Sequence, residues 1–268
     1  MASLRRRSGR SLPVWRWVIL LVAGVYFLVP LYAAARFAGL SAFGHVINQP
    51  GFTGAIWLSV KLGVVTTVIS LALMVPTAVY VHLKLPGLRR LLEGITILPI
   101  VIPPVVLIVG VLQVAPVFIK SSYYLLALEY VILAMPFVYR AIDAGLRALD
   151  LKTITEASQS LGAGWVATLW RVILPNLTTA LLSATVLTVA LVLGEYTMAT
   201  LDAYSTFPVW LVQNEQTSAQ VSVAASLFAL FVTWIFLLAI TVIGTRQGRK
   251  TGGQVTLFSV SRREIQGS

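Results

Sequence analysis

Three ionisable residues stand inside otherwise apolar stretches of this sequence, where an uncompensated charge is costly. They are Lys61, Glu129 and Glu195. A charged side chain at the centre of a bilayer costs about 2.5–3.5 kcal/mol on insertion scales, so such residues pair with one another or line a polar path. At about 1.5 Å of helix rise per residue, all three lie within roughly 10 Å of the same face of the predicted spans. Two interpretations stay open: a structural ion pair, in which Lys61 can also extend toward water, or a path for a solute.

If the residues at the depth of Lys61, Glu129 and Glu195 line a solute path, the charge of that path favours a cation. Two acids face one base there, and Asp202 and Glu215 add negative charge in the loop that follows. Grouped carboxylates raise the local concentration of cations. The predicted path residues are Lys61, Glu129, Glu195, Tyr196 and Asp202.

The composition of the whole chain indicates that these residues lie in membrane-spanning helices. Of 268 residues, 58% are hydrophobic and 11% are charged, and the mean hydropathy is +0.89. A typical soluble domain has about 25% charged residues, so the composition is that of a membrane protein. A helix of about 20 apolar residues crosses a hydrocarbon core of roughly 30 Å. Six stretches qualify: 14–35, 54–82, 91–115, 123–143, 176–200 and 221–245.

The basic residues predict the orientation, because positively charged loops stay in the cytoplasm. Seventeen of the twenty Lys and Arg residues lie in four segments: 1–16, 83–93, 140–175 and 246–268. We therefore expect a multi-pass protein of a prokaryotic inner (cytoplasmic) membrane with both termini in the cytoplasm. The expected external segments are 36–53, 116–122 and 201–220.

This orientation divides the chain into a basic cytoplasmic N-terminus (1–13), a six-span domain (14–245) and a basic cytoplasmic tail (246–268). The net charge of +11 is then explained by loops that face an anionic lipid leaflet, not by nucleic-acid binding. In the last external segment we expect the rings of Tyr204, Phe207 and Trp210 to lie at the membrane interface, or to contact a partner outside the membrane.

The reactive residues argue against an enzyme. The chain has no cysteine, so it has neither a disulfide nor a thiolate metal site. Its two histidines, His45 and His82, fall near opposite membrane edges, and we expect both to be solvated. The spans contain no paired carboxylates, metal-ligand cluster or nucleophile–base set. A transport role is therefore favoured.

A polar segment with glycines separates the fourth and fifth spans. It reads EASQSLGAGWVATLWRVILP from Glu156 to Pro175, within a loop at 150–175. Thr153 and Glu156 have the S/T-x-x-E spacing of a capping box, which predicts that a helix starts there. Gly162 is expected to end this helix, because glycine adopts positive φ at little cost.

The predicted helix is short and amphipathic. Ile154, Ala157 and Leu161 form one apolar stripe along it. A helix of about two turns is not stable alone in water, so it must pack on another surface. That surface is either its own membrane domain and the adjoining lipid or a separate protein.

The spacing of this segment closely resembles the EAA motif of binding-protein-dependent ABC importer permeases. That motif reads E-A-A, three residues, G, nine residues, I-x-L-P. The matching residues are Glu156, Ala157, Gly162, Leu174 and Pro175, while Ser158 replaces the second alanine and Val172 the isoleucine. The segment also lies between the fourth and fifth of six predicted spans, where the family carries its motif.

The resemblance implies the all-α type I importer fold, with six transmembrane helices and a cytoplasmic coupling helix seated on one of two ATPase subunits. The residues implied to couple to the ATPase are Thr153, Glu156, Ala157, Ser158, Leu161, Gly162 and Ala163. The partner would bind ATP, and this chain would hold no cofactor, since it has no G-x-x-x-x-G-K-[ST] phosphate loop. A second permease chain and an extracytoplasmic substrate-binding protein would complete the importer.

Two further segments refine the expected solute. GEYTMATL at 194–201 and TFPVWLV at 206–212 are most similar to the spermidine/putrescine permeases, which implies a polyamine or another cation. Related permeases for sulfate, molybdate, iron, thiamine or sugars share much of the layout. A secondary transporter driven by an ion gradient is the alternative from another class, and it would not need a coupling helix.

Overall fold

Helices make up the fold within the residues that the computed structural model describes, 14–120, 122–216 and 218–264. These ranges contain no strand, which agrees with the predicted all-α class. In chain order the helices are α1 (Val14–Val46), α2 (Phe52–Lys84), α3 (Arg89–Val101), α4 (Pro104–Val114), α5 (Val117–Lys120), α6 (Tyr123–Arg147), α7 (Leu151–Ser160), α8 (Trp165–Thr168), α9 (Leu174–Asn176), α10 (Thr178–Gly194), α11 (Thr197–Leu201), α12 (Phe207–Glu215) and α13 (Ala219–Glu264). A 3₁₀ turn joins α2 to α3, and a π-helical turn (Leu169–Ile173) joins α8 to α9.

Four of these helices are long and apolar enough to cross a membrane: α1, α2, α6 and the first part of α13. Two more apolar pairs are bent at a short break, by 100° between α3 and α4 and by 77° between the α8–α9 stretch and α10. If each bent pair counts as one span, the described part of the chain contains six, as the sequence predicts.

Consecutive prolines explain the bend in the third predicted span. A residue that precedes proline is pushed from the helical into the extended region. Ile102 precedes Pro103 and has a ψ of 124°, and Pro103 precedes Pro104 and has a ψ of 134°. The stretch predicted as one distorted helix at 91–115 is therefore two helices that meet at a corner.

Other boundaries also differ from the prediction. α1 continues to Val46 beyond a break at Gly39, where φ is 71°, so most of the expected external segment 36–53 is helical. α10 stops at Gly194, because Glu195 is extended with a ψ of 124°, and the fifth predicted span is not continuous to residue 200. α13 runs on to Glu264, past the end of the sixth predicted span. The predicted basic N-terminus, 1–13, lies outside the described residues.

The aromatic side chains of α12 pack inside the protein. Phe207 and Trp210 are only 8% and 3% exposed. The Trp210 indole N–H donates to the carbonyl oxygen of Pro50 at 2.9 Å, and its ring meets that of Phe52 edge-on with centroids 5.3 Å apart. The expectation that these two rings lie at the membrane interface is therefore wrong, because α12 folds back onto the start of α2.

Helix α6 lies at the centre of the bundle and packs against α2, α3 and α10. Leu126, Tyr130, Val138, Ile142 and Leu146 recur along it at intervals of four or eight residues, and all are buried. Each step of four residues advances about 40° around the helix, so α6 buries more than one face along its length. α1, by contrast, packs on α13 and leaves its apolar surface uncovered by the rest of the described chain.

The close approach of α6 to α10 depends on Gly145. A Cβ atom added at Gly145 would lie 2.5 Å from the Cβ of Ala180 and 3.0 Å from Cδ2 of Leu177. We expect Gly145→Ala to lower the free energy of unfolding by about 1–3 kcal/mol, because the two helices must separate to fit the methyl group. Thermal unfolding of the purified chain in detergent measures this loss.

Gly94→Ala is the matched control, since Gly94 is also helical and has no atom within 4 Å of an added Cβ. It should leave stability unchanged or raise it slightly. Adding Ala180→Gly to the Gly145→Ala variant should restore stability. An unchanged unfolding midpoint in Gly145→Ala, or no rescue, would contradict the proposed steric conflict.

Candidate functional site

Helix α7 starts three residues earlier than the capping-box spacing predicts. Asp150 is its N-cap: Oδ1 accepts from the backbone N–H of Thr153 at 3.3 Å, and Oδ2 accepts from the Thr153 hydroxyl at 2.7 Å. These hydrogen bonds lower the pKa of Asp150 below its ordinary value, so the cap is complete at neutral pH and weakens as the pH falls through that lowered pKa. Glu156 does not reach back to Thr153; its carboxylate lies 4.0 Å from Lys152 Nζ.

The buried residues of α7 are Leu151, Thr155 and Ser158. Of the predicted apolar stripe, only Ile154 packs on the protein, while Ala157 and Leu161 are exposed. Ser158 Oγ lies 3.0 Å from the Thr168 hydroxyl oxygen on α8. Because the single Thr168 hydroxyl hydrogen is donated to the Gly164 carbonyl at 3.1 Å, Ser158 must be the donor to Thr168. The serine that departs from the motif thus joins α7 to α8.

The end of α7 is a Schellman motif built on glycine. Gly162 has a φ of 84°, as the sequence predicts. Its N–H donates to the Gln159 carbonyl at 2.9 Å, and the Ala163 N–H donates to the Ser158 carbonyl at 3.1 Å. These two bonds satisfy carbonyls that a helix end otherwise leaves without donors. The chain then turns sharply into α8.

The turn creates an open groove of about 650 Å³ between α7 and the α8–α9 stretch. The predicted coupling residues that line this groove are Ala157, Ser158, Leu161, Gly162 and Ala163, whereas Thr153 and Glu156 lie away from it. Leu161 is 89% exposed beside it. Five of the seven predicted residues thus line one open groove, which we call the α7 groove; of these five, Ser158 is buried.

Glu195 carries out a structural task in the break between α10 and α11. Its carboxylate accepts from the backbone N–H of Met198 at 2.9 Å and of Ala199 at 3.3 Å, at the start of α11. The Tyr130 hydroxyl of α6 donates to the same carboxylate at 3.0 Å. Both oxygens of Glu195 are thus occupied by donors from this chain.

The predicted path residues separate into two groups. Glu129 and Asp202 lie close enough for their carboxyl groups to interact, and Glu195 is their neighbour. Lys61 does not join them; its Nζ lies 4.8 Å from the centre of the Tyr123 ring. Among the described residues Lys61 forms no ion pair, so the ion pair that was one of the two open interpretations does not form in this structure.

Tyr196, the fifth predicted path residue, faces a different region. It is 39% exposed and lines a cavity of about 320 Å³ between α12 and α13, together with Glu215 and Ser226. Helix rise places residues at one depth but not on one side of a helix, which explains why counting along the spans grouped it with the acids.

The sequence of this chain matches a known family. Residues 64–252 match the family described as binding-protein-dependent transport system inner membrane component. That range covers more than half of the chain. The chain belongs to the binding-protein-dependent transport system inner membrane component family. It is accordingly a multi-pass inner membrane permease of the ABC importer class, not an enzyme, and the family as a whole works with an ATPase and a binding protein.

Two relatives of this permease are each named molybdenum transport system permease protein ModB, one from Mycobacterium bovis and one from Mycobacterium tuberculosis. Each is 30% identical over 86% of this chain and 96% of the relative. The importer-permease family inferred from the EAA segment is thus confirmed. The nearer resemblance to spermidine/putrescine permeases is not supported by these relatives.

The fold of this permease is shared with a solved structure. The crystal structure of a bacterial ABC transporter involved in the import of the acidic polysaccharide alginate matches with a TM-score of 0.63, over 87% of this chain and 95% of that chain. The sequence identity is 14%, so the match concerns the fold alone.

A charged cluster that the sequence analysis missed joins three helices of this permease near the start of α7. Asp143 on α6 is buried and lies 3.1 Å from His82 Nε2, 3.2 Å from Arg89 Nε and 2.6 Å from an Arg147 guanidinium nitrogen. The Tyr139 hydroxyl also donates to the Arg89 carbonyl at 3.4 Å. The expectation that His82 is solvated is wrong, because its side chain is buried against Asp143.

Proposed function

We propose that this chain is the permease subunit of an ATP-driven importer, in which two permease chains form the solute path and two separate ATPase subunits supply the energy. The observation that carries the proposal is the α7 groove, an exposed surface of small and apolar side chains on a short helix. An open apolar surface on a polar loop is typical of a protein contact site.

The packing around α7 supplies a route by which a partner would move the membrane helices. Leu151 of α7 belongs to the same buried cluster as Ile142 and Leu146 of α6 and Leu177 and Ala180, at the start of α10. Packed cores move as units, because their side chains do not deform continuously. Pressure on α7 from an ATPase would therefore shift α6 and α10 together, as alternating access between two states requires.

The proposed orientation places α7 and both termini in the cytoplasm, where the ATPase and its ATP are found. This agrees with the excess of Lys and Arg in the segments at that face. The opposite face, with α12, would meet the substrate-binding protein. ATP would be held by the partner, and this chain would contribute no cofactor site.

We propose a small oxyanion such as molybdate as the solute. Two relatives at 30% identity are named for molybdenum transport, and molybdenum is present in neutral water as this oxyanion. The acids of the external half do not oppose an anion, since Glu195 is engaged by its own chain and Glu129 is buried. The polyamine expected from GEYTMATL and TFPVWLV lacks such support.

Reconstitution tests both parts of the proposal. The chain is purified with its companion subunits, inserted in vesicles, and supplied with labelled molybdate, the binding protein and internal ATP. We expect uptake that needs ATP and the ATPase and that persists with an uncoupler.

Two results would count against this outcome. Uphill transport by the chain alone would indicate an ion-driven transporter, and so would the loss of uptake by the complex on adding an uncoupler. Uptake of labelled spermidine in place of molybdate would restore the polyamine assignment while leaving the ATP-driven mechanism intact.

A further inference from the structure

We propose that Glu129 is a buried proton-binding site, which holds a proton at neutral pH and donates a hydrogen bond to Asp202. This bond would join α6 to the segment that follows α11. The inference is independent of the solute and of the ATPase partner proposed above.

The first argument is the number of buried oxygens without a donor. Glu129 is 0% exposed, and neither of its carboxyl oxygens meets a donor within the described residues. Oδ2 of Asp202 is also buried and has no donor among the described residues. The two carboxyl groups interact with each other beside the contact between α6 and α11. If both were ionised they would repel at short range, and three buried oxygens would be left unsatisfied.

One proton removes most of this difficulty. A neutral Glu129 has an O–H donor, and the nearby Asp202 carboxylate has free acceptor sites. A hydrogen bond to an ionised acceptor is stronger than one between neutral groups. The pair then carries one negative charge instead of two.

In the part of the chain that the structure describes, no basic side chain lies beside Glu129 to replace the proton. The titratable groups that face Glu129 are Asp202 and Glu195 from the α11 region and Tyr130 from its own helix, and Tyr204 faces Asp202. All of these are acids. Lys61 of α2 sits over an aromatic ring elsewhere.

The geometry also argues against a metal ion as the missing partner. Within the described residues no three His, Cys, Asp or Glu side chains are placed to hold one. Glu195, the third carboxylate of the region, already accepts from Tyr130, Met198 and Ala199. A shared proton needs only one oxygen of Glu129 and one oxygen of Asp202, and both residues have a buried oxygen without a donor.

Burial decides which acid holds the proton. An ionised carboxylate costs more where less water reaches it, and Glu129 is fully buried whereas Asp202 is partly exposed. The proton is therefore assigned to Glu129, and Asp202 is the acceptor.

The proton would make the contact between α6 and the α11 segment depend on pH. Since the folded state holds a proton that an unfolded glutamate releases above about pH 4.3, stability from this contact is full below that pH and falls as the pH rises, until Glu129 ionises in the folded state. Ionisation would place two carboxylates side by side, with Glu195 as a third nearby, and would push Asp202 away from α6.

Infrared difference spectroscopy on the purified chain in detergent tests the assignment. We expect a carbonyl stretching band of a protonated carboxylic acid at neutral pH, which shifts in D2O. The band should be absent in Glu129→Gln and present in Glu195→Gln, the matched control. Glu129→Gln, whose amide keeps a donor toward Asp202, should also lose the decrease in thermal stability that the wild-type chain shows as the pH rises above about 4.3.

Asp202→Asn provides a second variant that leaves Glu129 in place. It should keep the band and shift its frequency, because the acceptor changes from a carboxylate to an amide. The proposal is overturned if the wild-type chain lacks the band at neutral pH, or if the band persists unchanged in Glu129→Gln.

Discussion

Ala157→Trp is expected to lower ATP-driven uptake by at least about tenfold while leaving the inserted chain folded. Ala157 is exposed on α7 and lines the α7 groove, so an indole there would occupy the space proposed for the ATPase. A loss of about 1.4 kcal/mol in docking free energy is enough for a tenfold loss of affinity. Uptake into vesicles and recovery of the ATPase with the tagged permease measure the two consequences.

Gln159→Trp is the matched control for this variant. Gln159 is exposed on the same helix, two residues away, and does not line the α7 groove. The same indole at this position should leave uptake and ATPase recovery close to wild type. Equal uptake by the two variants would mean that the α7 groove is not the docking surface.

Asp143→Ala is expected to lower the free energy of unfolding by about 3 kcal/mol. Removing one member of a buried ionic cluster leaves its partners without compensation, which typically costs about 3–5 kcal/mol. Here His82, Arg89 and Arg147 would face one another across the place that Asp143 occupies. Chemical or thermal unfolding in detergent gives the difference, and the circular dichroism of the variant verifies that the helices still form.

Glu156→Ala serves as the comparison for Asp143→Ala. Both acids have a basic residue four positions away on the same helix, but Glu156 and Lys152 are exposed and 4.0 Å apart. An exposed pair of this kind contributes about 1 kcal/mol or less. If both variants lost the same stability, burial of Asp143 would not be the source of its effect.

The end of α7 was predictable because its signals are local. Gly162 follows the helix directly, and positive φ at that position is a property of one residue and its neighbours. The start of α7 was not, since Asp150 and Thr153 are both good caps and three residues apart. The Asp150 carboxylate accepts both Thr153 donors, and this leaves Thr153 inside the helix.

The buried acids show which contacts can be predicted from position along a helix and which cannot. Helix rise placed Glu129 and Glu195 at one depth, and the structure brings them close. Rise alone does not give the rotation of one helix relative to another, so Lys61 was grouped with the acids although it faces Tyr123. The contact of His82 with Asp143 likewise joins residues distant in sequence, whereas the corner at Ile102 follows from the prolines beside it.

The hydrogen bonds that join α7 to α8 run in one direction, from donor to acceptor. Ser158 donates to Thr168, and Thr168 donates to Gly164. An alanine in place of Ser158 would leave the threonine still bonded, whereas a valine in place of Thr168 would strand the serine hydroxyl in the interior. Substitution at these two positions should therefore proceed in one order during divergence, with the serine exchanged before the threonine.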